Sequence, residues 1–368
     1  MQKYLEAALK QMEKANSKGE LAGRAFHEFA AFCDQQLTSP NNIEDYERAL
    51  KLRENKRAEM LEAQRLMLAD PNDRGLKSFA DKAGRWLKLD DEEFSRLKLN
   101  REAFLEKSIS NYLQCLAVSE DHNQDAVRFC ALWFQHSANE NANQAVDSVI
   151  DRVASRKFVP LLNQLSSRLA DDNSAFQTIL YNLMTRICRQ HPYHGLHHIL
   201  TATKHEQLQA AAKVEPHRSG RARTTLSSRG KIAQKIKDSL LNQGVVVAKI
   251  MINLEKAIGV YMKIATFKIA TPKGKGKVPI RTAFARDLGL ASSIERGLPY
   301  LELPPPTMDI EIRADNNYDQ VPKLVKFCTE LTIAGGVSTP KILTCTDTSG
   351  RQFKMLVSTY IWLINISA

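Results

Sequence analysis

Apolar residues recur at helical spacing over most of the first 205 positions. Phe158, Leu161, Leu162, Leu165 and Leu169 fall at i, i+3, i+4, i+7 and i+11, one face of a helix. Phe176, Ile179, Leu180, Leu183 and Ile187 repeat the pattern. Earlier stripes run through Leu105, Ile109, Tyr112, Leu113 and Leu116, and through Ala145, Val146, Val149, Ile150 and Val153. Each predicts a helix of about 12–18 residues. Polar breaks such as Asp171-Asp172-Asn173 separate them, and these side chains can accept from the free N–H groups of the following helix. No such helix buries its stripe alone. The pattern therefore predicts a mostly α fold, an irregular α-solenoid of helical hairpins without a tetratricopeptide signature. Ile43 to Leu68 is another helical segment, whose charged run Arg53-Glu54-Asn55-Lys56-Arg57 reads as a solvated face. Trp86 and Trp133 lie in apolar helical context and are expected in the core.

Residues 206–230 are poor in large apolar side chains and read as an exposed loop. Helical patterns return at Ile232–Leu241 and Val245–Phe267, followed by a Lys/Gly loop around Lys273-Gly274-Lys275 and an irregular stretch. After Pro304-Pro305-Pro306 the period changes to two. In Thr307 to Ile312, apolar Met308, Ile310 and Ile312 alternate with polar partners, which predicts a half-buried strand. Val325–Phe327, Leu331–Ala334, Lys341–Thr346 and Gln352–Val357 are further strand candidates, with a hairpin loop from Gly335 to Pro340. The expected plan is a helical region, 1–205; a basic loop and helical linker, 206–303; a short, incomplete antiparallel sheet, 304–357; and a tail, 358–368.

Composition narrows the class. With 43% hydrophobic and 25% charged positions among 368 residues, wholesale disorder is excluded, and the length predicts two or three domains. No apolar run approaches the roughly 20 residues of a bilayer-spanning helix. The N-terminus, MQKYLEAALKQMEK, predicts a charged amphipathic helix and not a signal peptide. Cys33, Cys115, Cys130, Cys188, Cys328 and Cys345 include no C-x-x-C pair, which argues against a zinc module or a disulfide framework and for a reducing compartment. The formal charge is +11, and eight Lys/Arg against one Glu between Lys213 and Lys237 place seven of those charges in 25 residues. That concentration reads as a solvated basic linker, with a nuclear-localisation patch or a contact to DNA phosphates as the alternative. The string His191-Pro192-Tyr193-His194-Gly195-Leu196-His197-His198 has ligand-like spacing for zinc. Pro192 and Gly195 are expected to interrupt its helix, and no Cys or carboxylate joins it, so a structural turn without metal is expected.

Two stretches resemble a known family. FVPLLNQL (Phe158 to Leu165) and FQTILYNLMTRICRQHPYHGLHHIL (Phe176 to Leu200) are similar to the C-terminal end of the FAT helical region in phosphatidylinositol 3-kinase-related protein kinases. PPPTMDIEIRADNNYDQVPKLVKFCTELTIAGGVSTPKIL (Pro304 to Leu343) resembles the start of the kinase small lobe in the ATM and fungal telomere-maintenance branch. The resemblance covers residues 1 to 357. It implies that 1–205 is a FAT-type repeat region, 206–303 the linker to the kinase and 304–357 the start of a PI3/PI4-kinase-like small lobe. It also implies that Gly335, Gly336, Val337, Ser338 and Lys341 belong to the phosphate-binding loop over ATP. Glycines there let backbone N–H groups approach phosphate oxygens, and Lys341 supplies a compact charge. Without the resemblance, the same residues read as a plain hairpin turn.

Past Val357 the resemblance stops. The family continues into a Lys that pairs with ATP phosphates, a charge-assisted contact of about 1.5–3 kcal/mol, and then into a helix with a DDLRQD-like string. Here Ser358 follows, then TYIWLINISA. The dipeptide Val357-Ser358 can be encoded GTA-AGT, a splice-donor-like string, so the tail is expected to be translated intron. Family catalytic and metal-binding residues lie in the large lobe, so the chain as given is expected to be non-catalytic, with no catalytic residue, metal or cofactor of its own. ATP and magnesium belong to the intact family member. The last strand is expected to be an unpaired, aggregation-prone edge and the region beyond 304 to be poorly folded in isolation. The functional expectation is a fragment resembling an ATM-type serine/threonine kinase of the DNA damage response and telomere maintenance. The resemblance implies a nuclear location, protein partners met through the helical repeats, DNA met only indirectly, and no membrane. A free-standing α-helical interaction scaffold is the alternative, and an enzyme whose catalytic half is encoded downstream is the third reading.

Overall fold

The computed structural model describes residue 7 and residues 19–213, 227–269, 276–334, 340–358 and 364–365. The expected N-terminal helix, the core of the basic run, the Lys/Gly loop and most of the tail lie outside the described residues. Among the described residues no helix is long and apolar enough to cross a membrane. The chain divides into two compact units, residues 1–157 with 174–179, and residues 158–173 with 180–368.

The first unit contains α1 (Glu20–Thr38), α2 (Pro40–Ala69), α3 (Arg74–Val118), α4 (Asp125–Gln135) and α5 (Glu140–Val149). Pro40 occupies a first-turn position of α2, where its missing N–H costs nothing, and so separates α2 from α1. Asp73 caps α3 by accepting from the N–H groups of Gly75 and Leu76 at 2.7 and 3.1 Å. No breaker follows, so α3 runs for 45 residues, far beyond the stripe expected at its end. At 1.5 Å per residue it is about 68 Å long. Helices α1 and α2 lie antiparallel to it in succession. Ser108 Oγ and Arg101 reach Ala30 O and Leu37 O on α1, while Asp91 pairs with Arg53 and Gly84 touches Met60 on α2. Its core includes Phe26, Phe29, Cys33, Cys115 and Trp133.

Trp86 corrects the sequence expectation. It is 59% exposed. Over this part of α3 the buried seam is Ala80, Ala83 and Phe94, and Trp86 falls beside that narrow stripe.

In the second unit the expected stripe Phe158–Leu169 is buried, yet the backbone is a 3₁₀-helix over Ser155–Leu161 before α6 (Leu162–Ser167). Pro160 lies inside it and cannot donate to an α-helical ladder. Next come α7 (Ala175–Gln190), α8 (Pro192–Lys213), α9 (Ser228–Gln243) and α10 (Val245–Thr266). Ser174, not the Asp/Asn break before it, caps α7 by accepting from Gln177 N–H. Asp171 instead binds Lys235 at 2.6 Å. The loop expected over 206–230 is shorter at both ends, because α8 continues to Lys213 and Ser227 caps α9 through Gly230 N–H. Two lysines of the basic run, Lys235 and Lys237, are spent on Asp171 and Glu255.

Among the described residues the sheet is antiparallel and six-stranded: β1 (Lys277–Pro279), β2 (Leu324–Phe327), β3 (Glu330–Ile333), β4 (Lys341–Asp347), β5 (Gln352–Val357) and β6 (Ile364–Asn365). The order is β1-β3-β4-β5-β6, with β2 also on β4. Strand β1 lies in the segment read as linker and pairs Val278 with Leu331, so the sheet begins before residue 304. The expected strand Thr307–Ile312 is not part of the sheet. Its carbonyl at Ile310 accepts from His194 Nε2 at 2.8 Å instead of from a neighbouring strand. Nor is β5 an unpaired edge. It pairs Met355 with Asn365 and Leu356 with Ile364 on β6, and Leu343, Cys345 and Met355 are fully buried.

Candidate functional site

The hairpin between β3 and β4 frames the expected phosphate loop. Ile333 pairs with Lys341, and Ala334 N–H donates to Pro340 O at 2.8 Å, closing the ladder on either side of residues 335–339. Gly335, Gly336, Val337 and Ser338 lie outside the described residues. Lys341 does not present its charge to solvent. Its ε-ammonium is buried and donates at 2.9 Å to Ala265 O in the last turn of α10, where the helix dipole favours a cation. Burial holds this amine below the ordinary lysine range. Lys341 therefore ties β4 to α10. Ser358, which follows β5, is buried too.

The histidine string is a corner, as expected, but with one difference. Pro192 starts α8, whereas Gly195 sits within it. A Cβ at Gly195 would fall 3.0 Å from Cys188 Cα, so glycine allows the close crossing of α7 and α8. His191 Nδ1 and Tyr318 Oη share a 2.6 Å hydrogen bond, and His194 binds Ile310 O. The two imidazoles thus fasten the segment after the prolines to the corner between α7 and α8. Burial, with His198 and His194 adding to it, pushes His197 down to about 4.

This carries a pH prediction. His197 is neutral in the fold, and the unfolded chain takes up its proton as pH falls below about 6.5. Stability is thus fully present above that value and is lost between about 6.5 and 4, by about 1–3 kcal/mol. Urea unfolding across this range should show the loss in the natural chain and a flatter profile in His197→Gln. Parallel profiles would contradict it.

A groove of about 960 Å³ lies beside Tyr193, Val245, Lys249 and Lys323. Two of its three cations are engaged: Lys249 with Glu302, and Lys323 with the hydroxyl and ring of Tyr193; Arg189 is the third. One further cluster was not foreseen from sequence. His27, His122 and Asp125 come together in the first unit. His122-x-x-Asp125 is a recognisable spacing, but nothing in the chain order links it to His27.

No protein-family profile matches the chain. Curated relatives do. The serine/threonine-protein kinase tel1 of Aspergillus oryzae is 40% identical over 366 residues, covering 97% of this chain and 12% of the relative. The serine-protein kinase ATM of Sus scrofa is 27% identical over 374 residues, again 97% and 12%. Among solved structures, the open conformation of CtTel1 superposes with a TM-score of 0.82 at 38% identity, covering 96% of this chain and 12% of that one. The FAT and kinase domain of CtTel1 gives 0.81 at 37% identity, covering 96% and 22%. The chain spans about 12% of the length of the curated relatives it matches. By continuous similarity of sequence and of fold, the chain belongs to the ATM/Tel1 branch of the phosphatidylinositol 3-kinase-related protein kinases, as a fragment of such a protein.

Proposed function

We propose that this chain is the end of the FAT helical region and the first strands of the small lobe of a nuclear, ATP-dependent serine/threonine kinase acting in DNA damage signalling and telomere maintenance. The observation that carries the reading is the 40% identity to tel1 maintained over 366 residues, helices and sheet alike. In the complete enzyme the backbone N–H groups of Gly335, Gly336, Val337 and Ser338 cradle ATP phosphates. Magnesium is held by residues beyond this segment. Lys341, tied to Ala265 O, positions the loop from its base and does not touch the nucleotide. Exposed Leu61, Trp86 and Leu89 on the α2–α3 hairpin support a role in protein contacts as well.

A segment exchange tests this. Residues 1–357 placed in the Aspergillus oryzae tel1 kinase should preserve phosphate transfer to a peptide within about tenfold. In that chimera Gly335→Val with Gly336→Val should raise the KM for ATP by about tenfold or more. The 368-residue chain alone should show no saturable ATP binding. A folded chimera that is inactive, or whose KM ignores the glycines, would refute the assignment.

A further inference from the structure

The groove beside Tyr193 lies within the second unit, and Lys341, at the base of the phosphate hairpin, does not line it. Its walls come from the end of α7, the start of α8, the first turns of α10, the 299–303 turn and β2. A second depression of about 590 Å³ shares Val245, Lys249 and Asn253 with it, so a trough of two compartments passes the start of α10. The 299–303 wall is held in place: Asn253 Nδ2 donates to Leu301 O at 3.0 Å, and Leu324 N–H donates to Leu303 O at 2.8 Å. A wall already ordered loses little freedom on binding. Glu302 and Asn316 line the groove too, and they are the two described non-glycine residues with left-handed backbone, at φ 53° and 57°. Such conformations concentrate at ligand clamps.

The lining combines uncompensated positive charge with exposed apolar surface. Lys249 has a carboxylate partner in Glu302. Lys323 has neutral partners: its half-buried ammonium donates to Tyr193 Oη at 2.6 Å and stands 4.7 Å from the centre of that ring. Burial lowers this amine below the ordinary lysine range, with Asp319 and Glu302 acting the other way. Arg189, at the end of α7, is exposed. No carboxylate of the described residues comes within 4 Å of Arg189 or Lys323. Val245 and Val246 are 86% and 67% exposed, and Val325 is exposed as well.

We propose that this trough docks an acidic peptide segment of a protein partner, its apolar side chains covering Val245, Val246 and Val325 and its Asp or Glu carboxylates pairing with Arg189 and Lys323. Charge complementarity selects the acids and fixes where they land, because Asp319, also in the lining, repels them elsewhere. The valines favour a peptide over a nucleic acid, whose phosphates would answer the cations and leave the apolar wall in water. An inorganic anion would occupy only a small part of 960 Å³. A Lys323–Tyr193 clasp serving the fold alone accounts for neither Arg189 nor the valines.

The test uses the full 368-residue chain, immobilised and offered random decapeptides displayed on phage. Sequences enriched on the natural chain over Arg189→Gln with Lys323→Gln should carry at least two Asp or Glu together with an aliphatic or aromatic residue. Made synthetically with a fluorescein label, such a peptide should bind the natural chain saturably by anisotropy. It should bind that double variant, and Val245→Ser with Val246→Ser, about tenfold or more weakly, both folded by circular dichroism. Arg229→Gln with Lys231→Gln removes the same amount of charge from the basic run and should change affinity less than twofold, which separates the trough from general attraction to a basic chain. No preferential enrichment, enriched sequences without acids, or equal loss in the basic-run variant would overturn the proposal. So would a labelled oligothymidine that binds more tightly than the peptide and weakens in the Arg189/Lys323 variant, since the trough would then serve nucleic-acid phosphates.

Discussion

Trp133→Ala should be the most damaging single truncation in the first unit. The indole is fully buried, with ring centroids 5.6 Å from Phe129 and 4.6 Å from Phe176. Removing a buried Trp leaves a cavity that the surrounding helices cannot close, a cost of about 3–5 kcal/mol. A polar loss adds to it. Trp133 Nε1 donates to Asn143 Oδ1 at 2.8 Å, and Asn143 in turn donates to Ser137 O. The truncation strands that buried acceptor at about 1–3 kcal/mol. The total approaches the whole stability of an ordinary domain. Trp133→Phe should lose less, because it keeps ring contacts and forfeits only the N–H and part of the volume. Trp86→Ala is the control: at 59% exposure it should change stability by less than about 0.5 kcal/mol. Urea midpoints measured by far-ultraviolet circular dichroism compare the three. Similar losses for the two alanine variants would show that the packing assigned to Trp133 is wrong.

The same two tryptophans show what the residue pattern contains. Periodicity reports which positions share a face, and it correctly grouped Phe158, Leu161, Leu162, Leu165 and Leu169 as buried together. It does not report the hydrogen-bond ladder, so the 3₁₀ backbone around Pro160 was invisible in it. Nor does it say how many partners a face meets. Trp133 is enclosed by three aromatic rings, while Trp86 borders a two-helix seam. Alternation at Met308, Ile310 and Ile312 matches their alternating exposure but not the strand it predicts, because His194, far away in sequence, takes the Ile310 carbonyl. Strand β1 escaped because three residues ending in Pro279 carry no periodic signal. The β3–β4 pairing was legible from its two strands. The direction of Lys341 was not, since it depends on Ala265 at the end of α10. Long-range polar pairing is the common missing quantity.

Arg128→Ala should expose how much one such pairing holds. The Asp34 carboxylate on α1 is nearly enclosed and takes Arg128 Nε and Nη2 of α4 at 2.5 and 2.6 Å. It also accepts from Tyr112 Oη of α3 at 3.2 Å, so three helices meet on one anion. Burial, together with that charge, holds the Tyr112 phenol far above its ordinary value. A two-pronged Arg–carboxylate bond is stronger than a single contact and fixes orientation. Removing the guanidinium leaves the carboxylate desolvated with only the phenol as donor. The expected loss is about 2–4 kcal/mol, below the value for a fully buried pair because the Arg128 side chain is 43% exposed. Arg128→Lys should recover only part, since an ammonium cannot form the fork. Asp34→Asn combined with Arg128→Met should lie closer to the natural chain than Arg128→Ala does, because it removes the stranded charge as well as its partner. A double-mutant cycle on urea unfolding free energies reads the coupling directly, and about 1.5 kcal/mol or more is expected. Additive losses would mean that α1 and α4 are held by packing alone, and that the fork is incidental to it.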